Sequence, residues 1–312
     1  MNLLPPVGVL LLGFGGPSSQ DEVEPFLKNL LGKSLIPPRQ LKAIKSRYQL
    51  IGGGSPLLDI TIKQARALEK KLLGSNKNLR VYLAMRYWHP SIEDALSNIL
   101  SDGITRIIAL SLTPHSSYIT TNAYHKELKR VSSLPNHQMH ISTIGDWYNH
   151  PLFLEAIIEK INEGMKQFPE EKRKDIPLVF SAHSLPDSTD YDADSYKLAI
   201  ETTIRGIIKE VEPVVWQLAF QSRGRGEGWL EPKIEKVVED FFRQGFREAM
   251  IVPISFVSDH METLYDLDIA LKDLALSWNM TCYRSPCLND SPKFIEALAS
   301  LVLEHLKREE MQ

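Results

Sequence analysis

Residues 253–268 read Pro-Ile-Ser-Phe-Val-Ser-Asp-His-Met-Glu-Thr-Leu-Tyr-Asp-Leu-Asp. The apolar run 250–256 predicts a buried strand that ends inside this stretch, with a helix over 259–276 after it. At about 100° per residue of an α-helix, four carboxylates fall on one strip: Asp259, Glu262, Asp266 and Asp273. Open α/β sheets bind ligands at the carboxyl ends of their strands, so this acidic row, with His260 beside it, is a candidate functional site. A solvent-exposed helix face capped by Asp259 would show the same pattern.

The composition is that of a globular protein rather than a membrane-spanning or disordered one. The chain has 312 residues, of which 43% are hydrophobic and 24% charged, and a length of this kind suits two domains. A formal charge of −3 gives no reason to expect binding to nucleic acid. The N-terminus lacks the basic region of a signal peptide, and the apolar run 7–12 is too short to span a membrane. We therefore expect a cytoplasmic protein.

Two cysteines, Cys282 and Cys287, limit the metal chemistry that thiolates could provide. They cannot supply the four thiolates of an iron–sulfur cluster. They could form one disulfide bond, but a reduced pair is expected in the cytoplasm.

Strand-like apolar runs alternate with amphipathic helical stretches along the whole chain. Strands are predicted at 7–14, 79–87, 106–113, 139–146, 177–183, 214–221, 249–256 and 280–284. Helices are predicted at 21–31, 57–73, 91–100, 120–131, 151–166, 194–210, 231–242, 259–276 and 292–308. This alternation is typical of βαβ units and predicts an α/β protein with two groups of four parallel strands.

An internal sequence repeat predicts two similar domains. Pro90-Ser-Ile-Glu93 leads in thirteen residues to Gly103 and then into a strand, and Pro232-Lys-Ile-Glu235 leads in thirteen to Gly245 and another strand. In each half the unusual polar and aromatic residues follow the strands. In two facing open sheets these strand ends would line one cleft between the domains.

His183 is the second candidate, because it ends the apolar run 177–183. A neutral imidazole with a pKa of about 6.5 can accept a proton or bind a metal. Together with Asp259, His260 and Glu262 it could hold a divalent metal loosely, although the spacing matches no established zinc motif. A histidine bonded into a domain interface is the alternative. The glycine-rich turns at 13–17 and 52–54 fit neither a dinucleotide fingerprint nor a P-loop.

Aromatic and cationic residues follow two of the strands: Arg86, Tyr87 and Trp88 in one half, and Arg223, Arg225 and Trp229 in the other. Such groups can bracket a flat apolar ligand that carries carboxylates, or they can pack an interface. The apolar segment 26–36 is followed by basic residues from Arg39 to Arg47. It predicts either a hydrophobic lip over a cleft or core packing beside a basic surface.

Several segments together resemble the signature segments of the ferrochelatase family. The residues that carry the resemblance are 181–186 (Ser-Ala-His-Ser-Leu-Pro), 221–223 (Gln-Ser-Arg), 229–232 (Trp-Leu-Glu-Pro) and the whole of 253–268. Segments 12–17, 51–56, 85–90 and 287–290 resemble the family in the same order, so the likeness covers essentially the whole chain. It implies two Rossmann-like, chelatase-type domains, each a four-stranded parallel sheet flanked by helices, facing across a cleft. The domains would be 1–148 with a returning C-terminal helix at 289–312, and 149–288.

The resemblance implies a metal-inserting lyase of haem biosynthesis. Such an enzyme inserts Fe²⁺ as a substrate into protoporphyrin IX, forms protohaem and releases two protons, and no iron–sulfur cluster is expected here. Phe14, where the coproporphyrin-using branch tends to have tyrosine, and the lip 26–36 favour protoporphyrin IX. The lip would contact the inner membrane surface peripherally, or an enzyme that supplies porphyrin. The alternatives are a coproporphyrin III ferrochelatase, a cobalt-inserting tetrapyrrole chelatase, and a porphyrin or haem carrier without turnover.

Carried over by resemblance, His183 is the histidine that accepts pyrrole protons or meets the metal, and Glu262 is its acidic partner. Asp266 continues the acidic row as a metal ligand, and Asp259 and His260 are further candidate ligands. Residues implied in substrate binding are Phe14, Arg86, Tyr87, Ser222 and Trp229. Two features could alter this assignment. Arg225 and Gly226 stand where the family usually has Gly and Pro, and the family often has a π-helix at the acidic segment, which would redraw the α-helical strip.

Overall fold

The computed structural model describes residues 6–74, 78–118, 121–133, 139–188, 192–213, 215–224 and 226–311. The predicted starts at Thr120 and Val214, and Arg225, lie outside these ranges. Within them the strands are β1 (Val7–Gly13), β2 (Leu79–Met85), β3 (Arg106–Ser111), β4 (His140–Ile144), β5 (Leu178–His183), β6 (Trp216–Gln221), β7 (Glu248–Pro253) and β8 (Thr281–Arg284). Each coincides with a predicted strand, within a few residues at the ends.

The α-helices are α1 (Val23–Leu31), α2 (Pro38–Leu50), α3 (Leu57–Leu73), α4 (Ile92–Ser101), α5 (Thr121–Ser132), α6 (Pro151–Met165), α7 (Ala193–Val211), α8 (Ile234–Arg243), α9 (Lys272–Ser277) and α10 (Pro292–Glu310). A 3₁₀ helix covers Glu170–Asp175, and a π-helix covers Glu262–Leu271. No helix among the described residues has both the length and the apolar character needed to cross a bilayer.

The chain divides into two compact units. Unit 1 comprises Met1–Trp147 and Asn289–Gln312, and unit 2 comprises Tyr148–Leu288. Helix α10 packs on α3 in unit 1, where Phe294 and Leu298 are fully buried. The last helix, α10, and the first strand, β1, therefore belong to the same unit.

Unit 1 is built on a parallel sheet with the strand order β2-β1-β3-β4. Every residue of the central strand β1 is buried, as expected for a parallel strand covered on both faces. One layer of the core lies under α4 and α5, where Leu96, Ile99 and Tyr124 pack against the sheet. Because the strand order reverses between β1 and β3, their carboxyl ends flank the switch point at which such sheets bind ligands.

Unit 2 repeats this topology, with the strand order β6-β5-β7-β8, all parallel. Its core holds Val179 of β5 and Phe241 of α8 against Leu267 and Leu271 of the π-helix. The equivalent switch point lies between β5 and β7. The prediction of an α/β protein with two four-stranded parallel sheets is confirmed for the described part of the chain.

The internal sequence repeat has the same backbone conformation in both units. A cis peptide precedes Pro90 and Pro232, and each proline carbonyl accepts a hydrogen bond from the strand that ends before it. The bonds are Met85 N to Pro90 O at 2.7 Å and Phe220 N to Pro232 O at 2.8 Å. Each proline then leads into a helix and on to the next strand, α4 and β3 in unit 1 and α8 and β7 in unit 2.

The continuous α-helix predicted over 259–276 is wrong. The chain runs as a π-helix from Glu262 to Leu271 and becomes α-helical only at Lys272. A π-helix bonds residue i to i+5, so each of its turns holds more residues than an α-turn and side chains drift away from an α-helical strip. Asp259 precedes the π-helix and Asp273 is exposed on α9, so the four carboxylates do not form one row.

The region after α1 also differs from the prediction. It contains α2, a helix that the basic and apolar pattern did not reveal because Tyr48 is its sole buried residue. The apolar segment 26–36 is divided: Phe26, Leu27 and Ile36 are buried, whereas Leu31 and Leu35 are 40% and 77% exposed. Core packing is therefore confirmed at Phe26, and Leu35 forms an exposed apolar edge. The lip over a cleft stays a prediction.

Candidate active site

The backbone around His183 is held by residues from two neighbouring elements of unit 2. The His183 amide donates to Ser255 Oγ at 3.3 Å, just beyond the end of β7. The Tyr196 hydroxyl of α7 donates to the His183 carbonyl at 3.2 Å. His183 thus sits at the carboxyl end of β5, beside the switch point of the sheet, with its main chain fixed on both sides.

The His183 side chain pairs with Glu262, the first residue of the π-helix. Nδ1 and Oε2 are 2.8 Å apart, and the side chains are 35% and 27% exposed. Burial by itself lowers the pKa of His183, but the charge and hydrogen bond of Glu262, aided by Asp266, outweigh it and raise that pKa. Burial by itself would raise the pKa of Glu262, but the charge and hydrogen bond of His183, the charge of His260 and a hydrogen bond from Ser222 together lower it to about 2.

This pairing defines the tautomer of His183. The Glu262 carboxylate is ionised near neutral pH and can only accept a hydrogen bond. Nδ1 of His183 must therefore carry the shared proton, so Nε2 is the ring nitrogen with a lone pair that can accept another proton. A half-buried histidine oriented by a carboxylate is an arrangement suited to general base catalysis.

Two residues at the end of β6 position the start of the π-helix. Gln221 Nε2 donates to the Glu262 carbonyl at 2.9 Å. The Ser222 hydroxyl donates to Asp266 Oδ2 at 2.6 Å, from a residue with a φ of 56°. Since Glu262 and Asp266 are bound by consecutive residues of one strand end, the structure brings together His183, Glu262, Asp266 and Ser222.

Asp259 and His260 have other contacts. Asp259 Oδ1 lies 3.0 Å from Arg284 Nη2 and accepts a hydrogen bond from the Thr263 hydroxyl. His260 Nδ1 lies 3.0 Å from the Ser258 carbonyl, and its ring lies 4.8 Å from that of Phe256. The predicted acidic row is therefore divided between an inner pair, Glu262 and Asp266, and a carboxylate that binds Arg284.

The described residues contain no group of three or more His, Cys, Asp or Glu side chains placed to hold a metal ion. The inner cluster offers one imidazole and two carboxylates, each already hydrogen-bonded to a protein group. Both cysteines are buried free thiols, and burial raises the pKa of each.

In unit 1, Phe14 and Tyr87 form an aromatic pair at the carboxyl ends of β1 and β2. Their ring centroids are 4.9 Å apart, and the Tyr87 amide donates to the Phe14 carbonyl at 3.0 Å. The Arg86 guanidinium lies 4.8 Å from the centre of the Tyr87 ring and 4.0 Å from Glu127. The turn after Phe14 requires glycine, because Gly15 has a φ of 98° and a Cβ at this position would collide with Trp88.

Trp229 in unit 2 is anchored through its backbone to the segment that follows His183. It forms a bridge with Pro186, and the neighbouring Leu230 amide donates to the Leu185 carbonyl at 2.9 Å. The Trp229 ring packs over Gly224, where a larger residue would collide with it. Arg223 makes a loose ion pair with Glu231 at 3.5 Å.

The sequence did not indicate which residues support the His183–Glu262 pair. Gln221, Ser255, Tyr196 and Arg284 all contact it or the π-helix, but none has a spacing that marks it. Gln221 and Ser255 do lie at strand ends and within the signature segments 221–223 and 253–268, and these are the signals that could have selected them.

Comparison with a solved structure identifies the fold. The sirohydrochlorin chelatase SirB from Bacillus subtilis subspecies spizizenii, determined in complex with cobalt, aligns with a TM-score of 0.60 over 98% of both chains at 13% identity. The chain therefore has the chelatase fold.

Sequence comparison gives the family. The ferrochelatase family model matches residues 6–306. Ferrochelatase from Geotalea uraniireducens is 42% identical, with 94% of this chain and 96% of the relative covered. Ferrochelatase from Deinococcus radiodurans is 34% identical, with 95% of each covered. The chain belongs to the ferrochelatase family, as the signature segments predicted. It is accordingly a metal-inserting lyase of haem biosynthesis, with iron and a porphyrin as its substrates.

Proposed function

We propose that this ferrochelatase inserts Fe²⁺ into protoporphyrin IX and that the His183–Glu262 pair removes the pyrrole protons. A free porphyrin carries two inner N–H protons, and both must leave as the metal enters. The observation that carries the proposal is the 2.8 Å contact between His183 Nδ1 and an ionised Glu262. This contact leaves Nε2 to accept a proton and places a negative charge beside the imidazolium that forms.

The two protons would leave in succession. Neutral His183 takes the first pyrrole proton at Nε2, and Glu262 stabilises the resulting imidazolium. The His183 side chain is 35% exposed, so water can remove this proton before the second transfer. Glu262 itself is a poor proton store near neutral pH, because its pKa is about 2. It orients and stabilises His183 while the imidazole carries the protons.

Asp266 is proposed to guide the metal together with Glu262 and His183. Hard divalent cations favour carboxylate oxygens, and His183 adds an imidazole nitrogen. Ser222 holds Oδ2 of Asp266 by a hydrogen bond. A carboxylate oxygen has more than one lone pair, so a carboxylate that accepts a hydrogen bond can still bind a passing cation. Because the described residues form no ready cage of three ligands, the metal would be bound transiently and passed on. Asp259 and His260 are weaker candidates, since Asp259 already neutralises Arg284.

Substrate contacts are assigned separately in each unit. In unit 1, Phe14 and Tyr87 offer adjoining ring surface to the porphyrin, and Arg86 offers a cation to its carboxylates. In unit 2, Trp229 and Ser222 lie on the loop that follows β6. Phe14 offers no polar group to an additional carboxylate, and this favours protoporphyrin IX, which has two carboxylates, over the more acidic coproporphyrin III.

A peripheral position on the inner membrane surface is proposed from the segment between residues 25 and 58. It has no acidic residue and six basic ones, Lys28, Lys33, Arg39, Lys42, Lys45 and Arg47. Leu31, Leu35 and Leu50 are exposed within it. Exposed leucines beside basic side chains suit the surface of an anionic bilayer, where a poorly soluble porphyrin would also be found.

One assay tests the enzymatic proposal. The full chain is given Fe²⁺ without oxygen, or Zn²⁺, with either protoporphyrin IX or coproporphyrin III, and metalloporphyrin is followed by absorbance. Multiple turnovers with a higher kcat/KM for protoporphyrin IX are expected. A preference for coproporphyrin III would overturn the substrate assignment, and binding of one porphyrin per chain without conversion would indicate a carrier.

A further inference from the structure

The π-helix that carries Glu262 and Asp266 is held from a second side by Arg284, the last residue of β8. Arg284 Nε donates to Asp268 Oδ1 at 2.7 Å, and Nη2 donates to Asp268 Oδ2 at 2.8 Å. Nη2 also lies 3.0 Å from Asp259 Oδ1. One guanidinium thus binds a carboxylate before the π-helix and another within it, on either side of Glu262 and Asp266 in the chain.

The position of Arg284 is itself fixed. Its side chain is 12% exposed, and Nη1 donates to the Ser285 carbonyl and to Cys287 Sγ, each at 3.3 Å. The fork on Asp268 is bidentate, a geometry that lysine cannot reproduce with a single ammonium group. The contacts therefore define an orientation for the Asp268 side chain as well as neutralising its charge.

A π-helix needs such support because its backbone is rarely stable by itself. One π-turn is equivalent to an inserted residue, and one residue more or less rotates the side chains beyond it by about 100°. Relaxation of this segment to an α-helix would therefore turn Asp266 and Asp268 relative to Glu262. The contacts from β5 and β6 reach Glu262 and Asp266 on one side, and those of Arg284 reach Asp268 and Asp259 on another.

We propose that Arg284 is a positioning residue for metal insertion, which holds the π-helical register by binding Asp259 and Asp268 so that Glu262 and Asp266 meet His183 and Ser222. Arg284 acts through the helix and does not itself touch the reacting atoms. The inference rests on the proposed function of the His183–Glu262 pair. Its structural part, the support of the π-helix, can be measured without turnover.

The principal test uses Arg284→Lys and Asp268→Asn in the full chain, with Arg106→Lys as the matched control. Arg106 makes a 2.8 Å ion pair with Glu309, and both residues belong to unit 1. Hydrogen exchange at 262–271 is expected to accelerate in both π-helix variants and to stay unchanged in the control. Their kcat for Zn²⁺ insertion should fall about 10- to 100-fold, as is usual when a supporting partner of a site is lost.

Two further readouts separate positioning from general loss of stability. The acid side of the pH profile of kcat/KM should move to lower pH in Arg284→Lys, because the His183–Glu262 contact is loosened. A lower fraction of folded protein would instead reduce kcat/KM by the same factor at every pH. The double variant should lose no more activity than the worse single variant, since both changes break one contact.

Several results would overturn the proposal. If the wild type is active and Asp268→Asn has the same hydrogen exchange, kcat and pH profile as the wild type, the proposal is wrong. This holds even if Arg284→Lys fails to fold. Fully additive losses in the double variant would show that Arg284 and Asp268 act independently. A wild-type chain without metal insertion would instead refute the proposed function, while faster exchange at 262–271 in Arg284→Lys would still support the structural part.

Discussion

His183 and Glu262, separated by 79 residues in the chain, meet at 2.8 Å between Nδ1 and Oε2. One ends β5 and the other begins the π-helix, so the contact joins two elements on either side of the switch point in unit 2. Its chemical consequence is a histidine with a raised pKa, held in the tautomer that leaves Nε2 to accept a proton.

Replacing His183 by alanine should remove the proton acceptor. We expect His183→Ala to lower kcat for metal insertion by about 100- to 10,000-fold, the usual contribution of a positioned base. His140→Ala, at an exposed site on β4, serves as the control and should keep full activity. Folding of both is checked by circular dichroism, and a well-folded His183→Ala with near-normal turnover would exclude His183 from catalysis.

The pH dependence of kcat/KM should reveal the influence of Glu262 on His183. The neutral imidazole is the active form, so activity is lost as the pH falls through the pKa of His183. Glu262 raises that pKa, so Glu262→Gln should lower it and move the acid side of the profile to lower pH. The maximal rate should also drop, because the imidazolium loses its stabilising charge. Glu262→Asp keeps the charge, and an acid side that moves equally in both variants would contradict this account.

Stability should depend on pH through the same pair. The pKa of Glu262 is lowered to about 2 from 4.5, so its contribution is present above 4.5 and lost as the pH falls towards 2. The pKa of His183 is raised above 6.5, so its contribution is present below 6.5 and lost as the pH rises through the raised value.

The difference in unfolding free energy between wild type and Glu262→Gln should therefore be greatest at about pH 5.5, and about 1 kcal/mol for this half-exposed pair. Urea unfolding at acid, intermediate and alkaline pH measures the difference. A difference that is constant over the whole range would show that the pair does not couple protonation to folding.

Ser222 should influence the metal rather than the proton transfer. Ser222→Ala removes the 2.6 Å hydrogen bond that orients Asp266. We expect the KM for the metal to rise about tenfold with little change in kcat, because the carboxylate remains but is no longer held. Ser101→Ala, which removes an exposed hydroxyl at the end of α4, is the control. An unchanged metal KM with a lower kcat would place Ser222 in the chemical step instead.

Helix α10 should contribute strongly to the stability of unit 1. Leu298 is fully buried, so Leu298→Ala should lower the unfolding free energy by about 2–5 kcal/mol. Leu198→Ala, at a 59% exposed position on α7, should change it by less than about 0.5 kcal/mol. Equal effects of the two substitutions in urea unfolding would show that α10 adds little to the core.

The parts of the fold that the sequence predicted are those with a strong local signal. The run Val7–Gly13 is apolar throughout and flanked by turn residues, which is typical of a buried parallel strand. The helix α2 was missed because it buries Tyr48 alone and so has no apolar stripe. Periodicity does not predict the π-helix, because the strip of carboxylates is placed with the 100° per residue of an α-helix, whereas the resemblance to the family does indicate a π-helix in this segment.

The site was predicted in its residue types and in part of its arrangement. A histidine and a carboxylate row at strand ends could be identified in the sequence, and the signature segments proposed their roles. The division of that row depends on Arg284, which reaches Asp268 across 16 residues and Asp259 across a longer stretch. Such contacts are set by tertiary packing of β8 against the π-helix, and no local pattern encodes them.

The return of α10 to unit 1 sets an order in which the chain can fold during synthesis. All residues of unit 2 have left the ribosome once Leu288 has emerged, whereas unit 1 still lacks Asn289–Gln312. Domains usually fold in the order in which they are synthesised. Here the unit that begins first is completed after the other, so the surface of α3 that α10 covers stays open until α10 has emerged.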